Sequence, residues 1–201
     1  AAYPAAVLLS IALVAFGLFM STVHLGKPLR FYRGFNNLRH SPVAREGAGV
    51  ATFMTFAGLH MLLVLAQAPW LIEQFPVLAR TGATLAISAQ LCAVLALLGA
   101  GVGLFYMYRC YRIKARPFWD HKQTGFAFVG CSLYLGALCV ALIGGSALAL
   151  GGDPALPLVT VCSVLMGAGL ALEGFGLVLH ARDMNRAESE GAVSHYVQKT
   201  T

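Results

Sequence analysis

Charge is scarce in this chain. Asp, Glu, Lys and Arg make up 11% of its 201 residues, where soluble globular domains carry about 25%. Hydrophobic residues make up 58% and the mean hydropathy is +0.73. That balance excludes an ordinary water-soluble domain. Long polar stretches are also few: only 26–45, 109–123 and the tail after Ala181 qualify, and none has room for a soluble domain. Metal-ligand spacing is missing as well. The five cysteines, Cys92, Cys110, Cys131, Cys139 and Cys162, make no Cys-x-x-Cys pair, so neither an iron–sulfur nor a zinc motif is present. They read as small apolar packing residues. No basic segment precedes the first apolar block. Arg and His follow it instead, which marks a mature span rather than a signal peptide. A nucleic-acid-binding module is lacking too.

What is present is apolar sequence in blocks. A stretch of about 20 apolar residues is long enough to cross the hydrocarbon core as a helix. Five blocks qualify, at about 5–25, 46–68, 79–108, 124–150 and 156–181. The expected fold is all-α: a multi-pass transmembrane helical bundle of five spans, forming one integral membrane domain over 1–201 with the lipid bilayer as its solvent. Small residues give these helices faces for close approach, as at Gly99-x-x-x-Gly103, Gly144-Gly145 and Gly167-x-Gly169. Tyr106, Tyr108, Tyr111, Phe118 and Trp119, together with Phe31, Tyr32 and Phe35, form an aromatic belt at one interface, and Trp70 marks the other.

The net charge of +6 is unevenly placed. The first loop carries Lys27, Arg30, Arg33, Arg39 and Arg45, and the third carries Arg109, Arg112, Lys114, Arg116 and Lys122. The second loop has only Glu73 and Arg80, and the fourth only Asp153. With five spans, the first and third loops share a face. Loop charge bias places that face in the cytoplasm. The same basic surface is suited to docking an acidic subunit, with Arg33, Arg39, Arg112 and Arg116 as its contacts.

The residues able to carry chemistry are few. His24 ends the first span and Lys27-Pro28 stop it, while Ser41-Pro42 opens the next helix with Pro at its first position. Glu46 lies one turn inside that helix. Across a short loop, His24 and Glu46 fall at similar depth, a pair suited to proton transfer. The bland alternatives are an interfacial histidine bonded to a carbonyl and a first-turn carboxylate paired with Arg45 or Arg30. Arg30 is either a holder of a polar headgroup or simply part of the basic loop. His60, in mid-span, reads as a hydrogen bond to another helix or as a haem ligand. A haem would need a second histidine at matched depth, whereas His24 and His180 lie near span ends. Glu173, inside the last span, reads equally as a proton path or a helix-packing bond. Gln67 and Gln90 read as interhelical contacts, and His40, His121 and His195 as exposed loop residues.

The stretch from His24 to Glu46 resembles the membrane-anchor subunit family of dimethyl sulfoxide reductase. In that family a span ends in H-L-G-x-P-x-R, an N-L-R-x-S segment follows, and the next span opens with S-R-E or a close variant. Here those elements are His24-Leu25-Gly26, Pro28, Arg30, Asn37-Leu38-Arg39, Ser41 and Arg45-Glu46. A second, weaker element is Tyr108-Arg109, Pro117, Trp119 and Thr124. The resemblance implies an anchor in a bacterial cytoplasmic (inner) membrane that carries no haem or metal of its own. It also implies a quinol substrate, menaquinol or ubiquinol, at His24, Gly26, Arg30 and Glu46, with His24 and Glu46 taking its protons. Electrons would pass to an iron–sulfur subunit of 4Fe–4S ferredoxin type, and through it to a molybdopterin catalytic subunit. The chain by itself would then be non-catalytic. Family members usually have about eight spans, so the resemblance further implies a partial chain or a shortened relative. It commonly sets the iron–sulfur partner on the periplasmic side, against the loop-charge reading. Readings of other classes are a proton-coupled transporter or channel using Glu46, His60 and Glu173, a haem-b cytochrome subunit, and a purely structural anchor. Neither the inverted repeats nor the broken spans often seen in transporters are evident.

Overall fold

The structure is a computed structural model that describes residues 2–23, 27–112 and 120–184. The described residues are helical throughout, apart from turns and short connections. In chain order they form α1 (Ala2–Val23), a 3-10 helix (Pro28–Asn37), α2 (Pro42–Leu65), α3 (Pro69–Gln74), α4 (Val77–Arg80), α5 (Gly82–Tyr111), α6 (Lys122–Val140), a π-helical turn (Ala141–Gly145), α7 (Ser146–Gly151) and α8 (Leu156–Met184). Four apolar helices are long enough to cross a membrane: Pro42–Leu65, Gly82–Tyr111, Lys122–Gly151 and Leu156–Asp183. The apolar stretch Val7–Val23 of α1 is shorter. The four fall on four of the five expected spans, while the first expected span falls on the shorter apolar stretch of α1, and the protein is a multi-pass membrane protein. Most large apolar side chains point outward, as Leu62, Leu97, Leu98, Val164 and Leu177 do, which suits helices surrounded by lipid.

Local chemistry sets the helix ends. Pro42 occupies the first turn of α2, and the Ser41 hydroxyl accepts a hydrogen bond from the Ala44 N–H at 3.3 Å. Ser41-Pro42 is therefore the helix start that the sequence signals. Gly152 ends α7 in the left-handed region, φ +78°, where a side chain would be strained. The Asp153 N–H then reaches back to the Leu148 carbonyl at 2.9 Å. Hydroxyls within the spans turn back on their own helices. Thr52, Thr55, Ser132, Thr160 and Ser163 each donate to the carbonyl four residues earlier, at 2.7–2.9 Å. This satisfies them where no water is available.

The chain forms two compact units, Ala1–Met107 and Tyr108–Thr201. In the first, α2 and α5 run antiparallel along a seam of small residues. A β-carbon on Gly49 would lie 2.8 Å from the Gly103 Cα and 2.9 Å from the Gly99 carbonyl oxygen. One on Gly99 would lie 2.6 Å from the Phe53 nitrogen. Gly99 and Gly103 are thus in close contact with α2, as their spacing anticipates. In the second unit, α6 and α8 pack antiparallel in the same manner. Gly130 faces Gly169 and Glu173, Gly169 faces the Tyr134 backbone, and Gly176 faces Phe126 and Gln123. Gly144 and Gly145 meet Leu158 and Val159, whereas Gly167 has open space beside it.

Candidate functional site

The first-loop segment is more ordered in architecture than a loop. Its 3-10 helix begins at Pro28, and the Arg30 N–H bonds to the Lys27 carbonyl at 3.0 Å. The Phe35 ring then lies against the second turn of α2, 3.3 Å from where a Gly47 β-carbon would sit. Arg45 holds this arrangement. Its Nε donates to the Leu38 carbonyl at 2.7 Å, its Nη2 to the Arg39 carbonyl, and its Nη1 to the Tyr106 hydroxyl at 3.2 Å. The guanidinium also lies 5.2 Å from the centre of the Tyr106 ring. Arg45 therefore ties together the end of the 3-10 segment, the start of α2 and the last turns of α5.

Glu46 follows immediately, half-buried on α2. Its carbonyl lies near Gly103 of α5. Arg30 and Arg33 are exposed on the 3-10 helix and Arg39 just beyond it. Four of the sequence-derived residues, Arg30, Arg33, Arg39 and Glu46, therefore belong to one compact hairpin. His24, Gly26 and Arg116 lie outside the described residues. Arg112 is described. It pairs with Asp120 and also bonds the Tyr108 hydroxyl. These contacts, that with Asp120 first, raise its already high pKa. As a docking residue it would have to offer a guanidinium already shared with Asp120.

His60 behaves as an interhelical contact. It is 8% exposed, and its Nδ1–H donates to the Ala89 carbonyl of α5 at 2.8 Å. The expectation for His121 is overturned. Rather than an exposed loop residue, it is 9% exposed and caps α6. Its Nδ1 accepts the Gln123 N–H at 3.0 Å, so its proton sits on Nε2, 3.1 Å from Asp183 Oδ2 on α8. The His180 ring stands edge-on to it, with centroids 4.6 Å apart. Sequence order hides this pairing, because its partners are 62 residues apart and meet only through the antiparallel α6/α8 register. No local signal marks it, because histidine is not among the favoured helix-capping residues. Among the described residues no group of three or more His, Cys, Asp or Glu side chains is placed to hold a metal ion.

Residues 3–190 match the family model of the DMSO reductase anchor subunit, DmsC. The chain belongs to that family. It is 27% identical over 134 residues to the C subunit of the anaerobic dimethyl sulfoxide reductase of Haemophilus influenzae. The match takes in 65% of this chain and 41% of that protein, less than half of the relative's length. No solved structure matches the chain. The DmsC match embraces both the Arg45 hairpin of the first unit and the α6/α8 pair of the second.

Proposed function

We propose that this chain is the quinol-binding part of a membrane anchor in a DMSO-reductase-type complex of a bacterial cytoplasmic membrane. The observation that carries the reading is the Arg45 clamp, which folds the basic segment against the helix start bearing Glu46. It sets a carboxylate and exposed cations together at the end of two apolar helices. Quinol is the substrate, menaquinol or ubiquinol, and the reading assigns no haem or metal to this chain. The family name and the relative's name support assembly with other reductase subunits. In this proposal the partner is an iron–sulfur subunit that leads to a molybdopterin catalytic subunit.

The chemistry asks little of the chain beyond positioning and bases. Oxidation of one quinol to quinone releases two electrons and two protons. The electrons leave through the iron–sulfur partner. The Glu46 carboxylate takes one hydroxyl proton and the His24 imidazole the other. Arg30 orients a quinol oxygen, and Gly26, having no side chain, leaves room for the ring. Arg33, Arg39, Arg112 and Arg116 are the residues assigned to docking the partner.

The test uses the assembled complex with two electron donors. Loss of a general base costs about 10²–10⁴-fold in rate. Glu46→Gln and His24→Ala should each remove most quinol-dependent turnover. Both variants should keep assembly and keep activity with a dye that reduces the catalytic subunit directly. Full quinol-dependent turnover in either variant rejects that residue's role. Loss of both activities would mark a structural hairpin.

A further inference from the structure

The α6/α8 seam carries a second set of ionisable groups, remote in sequence from the Glu46 hairpin. We propose that Glu173 is a proton-binding site within the membrane, and that it exchanges protons with the aqueous surface along this seam through His180, beside the His121–Asp183 pair.

The placement follows from helix geometry. Glu173, Gly176, His180 and Asp183 are spaced by three, four and three residues, so they share one face of α8. Four contacts show that this face is turned toward α6. The Glu173 stem packs on Gly130, with its Cγ 2.7 Å from where a β-carbon would be. Gly176 abuts Phe126 and Gln123, His180 meets the His121 ring, and Asp183 accepts from His121 Nε2–H. Glu173 precedes the end of α8 by 11 residues, roughly 16 Å along the axis, or about half the hydrocarbon thickness. Asp183 stands at the mouth, its side chain 50% exposed.

Between Glu173 and His180 the helix advances about 10 Å. Gly176 leaves that stretch without a side chain of its own. Gln123 fills the space, with its Cα and Cγ 3.5 Å from a β-carbon position on Gly176. From mid-membrane to surface this face of α8 thus carries the Glu173 carboxylate, the His180 imidazole and the Asp183 carboxylate. The remaining titratable groups on these two helices near it are Tyr134, Lys122 and Arg182, with Lys122 and Arg182 exposed at the mouth. A carboxylate packed against a glycine suits a proton, whereas a bare cation such as Ca²⁺ needs six or more oxygen ligands. The step is a simple uptake. A proton from water enters at His180, is carried by intervening water over the roughly 10 Å of seam to the Glu173 carboxylate, giving the neutral acid, and leaves by the reverse route. His121 caps α6 and orients Asp183.

The experiment is infrared difference spectroscopy on the full chain in lipid nanodiscs after a pH jump, with no quinol present. Its failure is therefore separate from failure of the quinol reading. Among the carboxylic-acid carbonyl bands that appear on acidification, one should vanish in Glu173→Gln. His180→Phe keeps an aromatic ring against His121 and removes the proton carrier. It should slow the appearance of that band about tenfold or more, since proton transfer by a positioned group contributes about 10²–10⁴-fold. A set of acid-induced bands unchanged in Glu173→Gln overturns the proposal, as does a wild-type rate in His180→Phe. Should His180→Phe fail to fold, a hydrophobic carbodiimide on the wild-type chain decides. Labelling of Glu173 that rises in acid supports the site, and absence of labelling rejects it.

Discussion

The two units solve one packing problem with the same device and place different chemistry inside it. In each, antiparallel helices approach through glycine. Gly49 meets Gly99 and Gly103 in the first unit, and Gly130 meets Gly169 in the second. Such contact is the main source of association between helices in lipid, where burial from water gives no drive. The polar groups differ. The seam of α2 and α5 encloses His60, whose Nδ1–H is matched to the Ala89 carbonyl. The seam of α6 and α8 holds Glu173 against a glycine and carries a His–Asp pair at its end. A lone ionisable residue in a span is therefore not one kind of signal. Bonded to a backbone carbonyl it is a structural contact, and aligned with further titratable groups it becomes a candidate path.

The strongest way to break this comparison is to block both seams. Gly49→Ala would drive a methyl into the backbone of α5, and Gly169→Ala would drive one into the Gly130 carbonyl at 2.6 Å. Backbone cannot swing aside as a side chain can. Overpacking of this kind costs about 1–3 kcal/mol or more. Both variants should lower the detergent-solubilised melting temperature sharply. Gly167→Ala, with open space at its β-carbon position, is the control and should melt as the wild type does. Equal melting for all three would mean that the seams are not what holds each pair.

A smaller effect sharpens the polar contrast. His60→Ala opens a space in the first seam and deprives the Ala89 carbonyl of its side-chain donor, a loss of about 1–3 kcal/mol. Glu173→Gln keeps shape and polarity in the second seam, so it should lose less stability than His60→Ala. Chemical denaturation in mixed micelles compares the two directly. A larger loss in Glu173→Gln than in His60→Ala would make Glu173 the structural residue and undo the distinction.

Next in size is the Arg45 clamp. Arg45→Met keeps the apolar stem but removes donors from the Leu38 and Arg39 carbonyls and from Tyr106. A hydrogen bond contributes a net 0.5–1.5 kcal/mol, and somewhat more when charged, so a loss of about 1–2 kcal/mol is expected. It should fall locally. Amide exchange should quicken over the 3-10 helix and the first turn of α2 while α6 and α8 are unchanged. Uniform quickening across all helices would refute a local clamp.

How much of this is legible in the sequence depends on the range of the signal. The spans follow from apolar length, and the start of α2 from Ser41-Pro42, because both are local. Gly99 and Gly103 are readable as a packing face, although their partner Gly49 is not. The first loop reads as a loop. Its 3-10 helix escapes recognition because its apolar residues, Leu29, Phe31, Tyr32 and Phe35, fit no four-turn helical stripe. Arg45 and Glu46 stand out as a motif, yet the bond from Arg45 to Tyr106 spans 61 residues. No local pattern encodes such a contact. His121 misleads for the same reason. Its burial comes from α8, which returns to it only after the whole hairpin is built.

The smallest expected effect concerns the end of α5, where Arg112 bonds Asp120 and Tyr108. Here the pair is partly exposed, with side chains 33% and 22% accessible, so water screens it. Exposed ion pairs contribute about 0–1 kcal/mol, and Arg112→Met should cost no more than that. The pH dependence has a definite sign. The hydrogen bond to Asp120, and then that to Tyr108, raises the Arg112 pKa. A raised basic group gives stability that is fully present below its unfolded pKa and fades only as pH climbs through the folded one. Alkali short of the arginine range should therefore leave the contribution intact. Thermal melts of wild type and Arg112→Met should show a small gap that stays constant from neutral pH into mild alkali. A gap that closes in mild alkali would mean that the charged guanidinium is not its source.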